Sequence, residues 1–130
     1  MRAYLAIKHH EDNSNRQLIE QLSLHLSLQG IETTVMTRDH ERWGEKKFPP
    51  DELMRITFEE IGVSDVLIVE MSEKGVGLGI EAGYAFAKGI PIIVVAREGS
   101  DISETLRGIA RKIILYKDPE EIVISLNDLA

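Results

Sequence analysis

At 130 residues, with 43% hydrophobic and 28% charged side chains, the chain has the size of one ordinary domain and a composition that is neither disordered nor fibrous. Zero Cys excludes a disulfide scaffold, a thiolate nucleophile and Cys-ligated metal, and no apolar run approaches the ~20 residues of a membrane span. A formal charge of -7 opposes the counterion release that drives polynucleotide binding, so the expected partner is a small molecule.

The elements alternate along the chain. Arg2 to Lys8 reads as a strand; a helix follows, opened by a candidate capping box at Ser14-Asn15-Arg16-Gln17, carrying Leu18, Leu22 and Leu26, and closed by Gly30. The β-branched run Ile31 to Met36 reads as a second strand, and the charged segment Thr37 to Pro50, with the only Trp, as a surface loop. Pro50 and Asp51 start a helix that runs to Gly62. Val66 to Val69 is a third strand, Gly77 to Gly89 a helix, and Pro91 to Ala96 a fourth strand apolar enough to be buried on both faces. Asp101 with Glu104 is a candidate capping box for a short helix, Lys112 to Tyr116 a fifth strand, and Asp118 to Leu129 a terminal helix.

This alternation predicts a single α/β domain over residues 1–130, a three-layer Rossmann- or flavodoxin-like fold with a five-stranded parallel sheet. Ligands of such sheets bind at the carboxyl ends of the strands, which singles out the loops 8–13, 37–50, 71–76 and 97–101.

The segment Gly75 to Ala85 holds the densest chemistry. Gly75, Gly77 and Gly79 allow tight turning and close approach of a ligand at a helix start, where free N–H groups favour an anion. Glu81 falls near that first turn, where the helix dipole is expected to favour its ionised form, suiting a nucleophile or merely a charge complement to the helix. Gly83 is expected to leave the face near Glu81 uncrowded. The spacing does not read as a nicotinamide-binding fingerprint, because the glycines follow the third strand and not the first.

The run Ser64 to Ser72, followed by Gly77-Leu78-Gly79-Ile80-Glu81-Ala82-Gly83-Tyr84-Ala85 and Gly89-Ile90-Pro91-Ile92, resembles the nucleoside 2-deoxyribosyltransferase family and the related nucleoside 5′-monophosphate N-hydrolases. The resemblance implies that Glu81 is the nucleophile on the anomeric carbon of a nucleoside or nucleotide. It also implies that Ser103, in the segment Ser103 to Gly108, reaches a phosphate in a neighbouring subunit, and hence a homodimer or higher homo-oligomer. The small and apolar residues Ile80, Ala82, Ala85, Phe86 and Ala87, which cover more of the helix than one buried face needs, favour that assembly as well.

Two departures stand out. The family usually carries an Asp where this chain has Thr57, and Thr cannot be a general acid; Glu60, nearly one turn on, is a candidate substitute. After the first strand the family commonly has a loop of small residues, where this chain has Lys8-His9-His10-Glu11-Asp12-Asn13; Lys8, His9 and His10 are candidate contacts to an anionic ligand, and Tyr4 aligns with a common aromatic of the first strand. Trp43 and Phe48 are candidates either to stack on a base or to anchor their loop. The four His residues lack the spacing of a zinc site, so no metal and no cofactor are expected. Without a basic, apolar leader the expected location is cytoplasmic. A non-catalytic nucleotide-sensing domain on the same scaffold is the alternative function. A phosphoacceptor signalling domain fits less well, because no Asp ends the third strand.

Overall fold

A computed structural model describes residues 1–130. Five parallel strands form its centre: β1 (Arg2–Ile7), β2 (Glu32–Thr34), β3 (Val66–Glu70), β4 (Ile92–Arg97) and β5 (Lys112–Tyr116), in the order β2-β1-β3-β4-β5. That is the flavodoxin-type order, whose reversal point lies between β1 and β3. No helix is long and apolar enough to cross a membrane.

Period-two alternation splits the core into two layers. Tyr4 and Ala6 of β1, Leu67 and Val69 of β3, and Ile92, Val94 and Ala96 of β4 face one side. There they pack against α3 (Pro50–Gly62), α4 (Val76–Ala87) and the one-turn α5 (Glu104–Arg107). Ala3, Leu5, Val66, Ile68, Ile93 and Val95 face the other side, against Ile19, Leu22 and Leu26 of α1 (Arg16–Ser27) and against Ile122 and Ile124. With helical cover on both faces, β3 and β4 can be near-continuous apolar runs.

Three local expectations are corrected. The α1 capping box does not form: Ser14 Oγ pairs with His10 Nδ1 at 2.7 Å, and Asn15 Nδ2 donates to the Lys8 carbonyl at 2.9 Å, so no side chain caps the helix. The second strand stops at Thr34, because Asp39 accepts the Val35 N–H at 2.8 Å and turns the chain into the short helix α2 (Met36–Asp39), followed by a 3₁₀ turn at Arg42–Gly44. Asp101 does not cap α5, whose N-cap is Ser103; it pairs with Lys74 Nζ at 2.7 Å.

The terminal α-helix is also absent, replaced by 3₁₀ turns at Pro119–Glu121 and Leu126–Leu129 around an extended stretch. Gln29 explains the exchange. Its side-chain amide donates to the Ile122 carbonyl at 2.7 Å and accepts the Ile124 N–H at 3.0 Å, holding the β-branched segment in the extended form it prefers.

Candidate functional site

A cavity of about 450 Å³ opens at the carboxyl edge of the sheet beside the β1/β3 reversal point. Seven of the residues picked out in the sequence line it: Tyr4, Lys8, His9, Thr57, Gly75, Gly77 and Glu81. They come from four places in the chain, and the topology alone unites them. β1 supplies Tyr4; the loop that follows it supplies Lys8 and His9; α3 supplies Thr57; the start of α4 supplies the glycines and Glu81. Gly75 lies against Lys8, where an added Cβ would meet Lys8 Cγ at 3.9 Å.

Burial pushes the Glu81 carboxyl up from 4.5 to about 7, with the nearby Tyr4 hydroxyl opposing the rise. This corrects the expectation that the helix dipole holds Glu81 ionised. α4 begins at Val76, so Glu81 sits in its second turn, past the free N–H groups, and desolvation dominates. The result is a basic carboxyl group that is half ionised near neutral pH.

Tyr4 is both core and site: its ring is 2% exposed, and its hydroxyl is raised well above its ordinary range by burial and then by the nearby Glu81 carboxylate. Thr57 donates to the Leu53 carbonyl at 2.8 Å, which commits its proton within its own helix.

The remaining candidates lie elsewhere. Glu60 does not line the cavity: it is held by Arg2 Nη2 at 2.5 Å and by His40 Nε2 at 3.2 Å, so that ionic partners draw it off the site. His10 is occupied by Ser14 and by Glu73 Oε2 at 3.0 Å. Gly79 and Ser103 line a second cavity, of about 720 Å³, that shares Gly75 and opens on the other side of α4 beside Gly83 and Leu106. Gly83 therefore leaves open this second space instead of the one at Glu81. Gly77, Gly79 and Gly83 have nothing within 4 Å of where a Cβ would stand, and none of the α4 glycines has a positive φ, so they serve approach from outside and not a turn.

Trp43 packs onto the α1 face as a loop anchor, with Asn13 Nδ2 donating to its carbonyl at 2.9 Å and the Arg16 guanidinium 4.5 Å from its ring. Phe48 lies under Lys46, away from the cavity. No group of three His, Asp or Glu side chains converges to hold a metal ion.

The acidic lining residue Glu41 is not singled out by the sequence. Its loop was recognisable as one at the carboxyl edge of the sheet, but α2 and the turn that aim its side chain depend on the Asp39 contact and on Arg38, which reaches Ser23 Oγ at 2.7 Å.

No family model matches the chain. A protein of Thermofilum pendens, provisionally named 2′-deoxynucleoside 5′-phosphate N-hydrolase 1, is 28% identical over 135 residues, covering 99% of this chain and 94% of its own length. The structure of the Clostridium botulinum CMP N-glycosidase BcmB is 25% identical, with a TM-score of 0.65 and 93% of each chain covered. Both likenesses support the resemblance to the nucleoside 2-deoxyribosyltransferase family. A 2-deoxyribosyltransferase from Bacillus psychrosaccharolyticus, 17% identical, shares the fold, with a TM-score of 0.72 over 99% of this chain and 96% of its own. The family resemblance that rested on the second half of the sequence thus extends over the full length.

Proposed function

We propose that this protein hydrolyses the N-glycosidic bond of a nucleoside 5′-monophosphate, with Glu81 as nucleophile. The observation that carries this reading is a basic, poorly solvated carboxylate in a cavity at the sheet's reversal point, with Lys8 and the N-terminus of α4 close by for an anion. The relatives named as acting on nucleotides supply the substrate class.

The Glu81 carboxylate attacks the anomeric carbon while the C–N bond breaks, and the electron pair leaves with the base. Water then opens the glycosyl ester and returns Glu81; another base in place of water gives transfer. Purified protein incubated with a panel of nucleosides and monophosphates is expected to release free base, fastest from monophosphates. Binding without release would leave a nucleotide sensor.

Because the nucleophile must be ionised, kcat/KM on a substrate whose leaving group departs without a proton is expected to rise with pH through about 7. The Tyr4 hydroxyl lowers the Glu81 value, so Tyr4→Phe should move this midpoint upward and depress the rate at pH 7 more than at pH 9. A pH–rate profile with an unmoved midpoint would separate Tyr4 from the titration.

The same proposal includes a pair of subunits meeting along α4. Val76 is 82% exposed, Ile80 49% and Phe86 58%, and the open glycine positions continue that surface. Ser103 lies off the Glu81 cavity of its own chain, so it serves a phosphate from the partner's side. Sedimentation at micromolar concentration should find a dimer. Ser103→Ala should lose roughly 10-fold on monophosphates, the loss of one hydrogen bond to a charged acceptor, and little on free nucleosides. An equal loss on both would remove Ser103 from the site.

A further inference from the structure

The Glu81 cavity has two chemically different ends. Lys8 and His9, at the end of β1, stand with Gly75 and Gly77 at the start of α4, where an anion is best held. The other end is built from Val35, Met36, Leu53 and Met54, contributed by the close of β2, α2 and α3. An apolar slot of this kind suits the flat face of a base. Three polar side chains accompany that slot: Thr37, next to Met36 in α2; Thr57, one turn from Leu53; and Glu41, whose loop leaves α2.

A departing base takes the electron pair of the broken bond and needs a proton. Few groups here can give one. Thr57 is no acid, and its hydroxyl is committed to Leu53. Tyr4 is held too firmly in its neutral form, and Glu81 is the nucleophile. Lys8 and His9 stand at the anion end. Glu41 and Glu81 are the two carboxyl groups that line the cavity, so Glu41 is the one left to act as an acid.

We infer that Glu41 is the acid–base group for the departing base, supplied by the loop after α2 and not by helix α3. This rests on the N-glycosidase reading above. As Glu81 Oε bonds to the anomeric carbon and the C–N bond breaks, the Glu41 carboxyl gives its proton to the ring nitrogen of the base. In the second half, the Glu41 carboxylate takes a proton from water as that water's oxygen bonds to the anomeric carbon and displaces Glu81. The sum is nucleotide plus water to sugar phosphate plus base.

The loop is held so that Glu41 keeps its place. Its backbone carbonyl accepts the Gly44 and Lys46 N–H groups, both at 3.0 Å. Immediately after it, Arg42 and Trp43 adopt left-handed φ values of 48° and 58°. Conformations of that kind persist in bulky residues only when neighbours over-determine them, as the Asn13 and Arg16 contacts to Trp43 do.

Leaving-group dependence tests the inference. Glu41→Gln leaves the backbone anchors in place, and circular dichroism checks its fold. It should lose about 10²–10⁴-fold on natural monophosphates, the ordinary span of general acid catalysis. On 2-deoxyribose 5-phosphate carrying p-nitrophenolate, which departs without a proton, its release of p-nitrophenolate in the first turnover should stay within a few-fold of the native rate. Adding Thr57→Asp to Glu41→Gln should restore part of the loss by returning a carboxyl group to the same end of the cavity. An undiminished rate on natural substrates, or the same loss on both substrate types, would overturn the assignment. Glu81→Gln should fail on both, so loss of the nucleophile and loss of the acid are told apart. A native protein that cleaves neither substrate would sink the N-glycosidase reading and this one with it.

Discussion

Glu81→Gln is expected to abolish release of base, by on the order of 10⁴-fold or more, and at the same time to make the protein more stable at pH 8. The first effect follows from removing the nucleophilic charge while keeping the shape of the side chain. The second follows from linkage. Glu81 binds its proton more tightly in the folded protein, at about 7, than at the ordinary value of 4.5, so the folded state holds more protons between those values. Stability from this group is therefore fully present below pH 4.5 and is lost as pH rises through 7. Its full size is on the order of 3 kcal/mol as an upper bound. Thermal melts of the two proteins should agree near pH 4.5, separate as pH rises toward 7 and keep that full separation above it. Equal turnover would refute the catalytic role, and equal stability at pH 8 would refute the burial of charge.

A comparably large effect on stability is expected at Glu70, which ends β3 and is 2% exposed. Its carboxylate accepts the Tyr116 hydroxyl at 2.5 Å, the Ser72 N–H at 2.5 Å and the Ser72 hydroxyl at 2.9 Å. Ser72 Oγ in turn accepts the Arg97 N–H at 2.9 Å, which ties the ends of β3, β4 and β5 together. Burial and the Glu70 carboxylate push the Tyr116 hydroxyl far up, so it remains a donor at every relevant pH. Glu70→Ala strands these donors and should cost about 3 kcal/mol, or on the order of 10 °C in Tm. Tyr116→Phe, which leaves the carboxylate its two Ser72 donors, should cost about 1 kcal/mol. Denaturant titration of both variants checks the order; a larger loss for Tyr116→Phe would mean that ring packing, not the carboxylate, is the centre of this network.

The elements most legible in the sequence are those whose signals are local. α3 runs from Pro50 to Gly62 as its Pro start, acidic first turn and Gly end announce, and β5 matches residue for residue. Where the reading failed, a distant side chain had overruled local preference. Gln29 acts across more than ninety positions to keep Ile122 and Ile124 extended, and Asp39 ends the β-branched run at Val35. The site divides in the same way. Glu81, Lys8 and the glycines were visible as motif and loop; Glu41 was not, because only the folded loop selects it over its neighbours. Glu60 looked equivalent to Thr57 along the helix, yet Arg2 and His40 claim its charge. The ionisation of Glu81 also escaped the sequence, since a helix start implies free donors but says nothing of how much water its second turn can see.

The Gln29 clamp has a consequence in time. Ile122 and Ile124 complete the α1 face of the core, yet their backbone is held by one side chain located just past α1, not by a neighbouring strand or a helix of their own. The capping contacts of Asp118 with Glu121 and of Ser125 with Asp128 shape the two 3₁₀ turns locally, but the extended stretch between them waits for β1, α1 and β2 to set Gln29 in place. Ile122 to Ile124 is thus the last stretch to dock, and in the native state it is the first free to leave. Its amides should exchange with solvent ahead of the strands they cover, reporting an opening in which the tail lifts while the sheet and the Glu81 cavity stay intact.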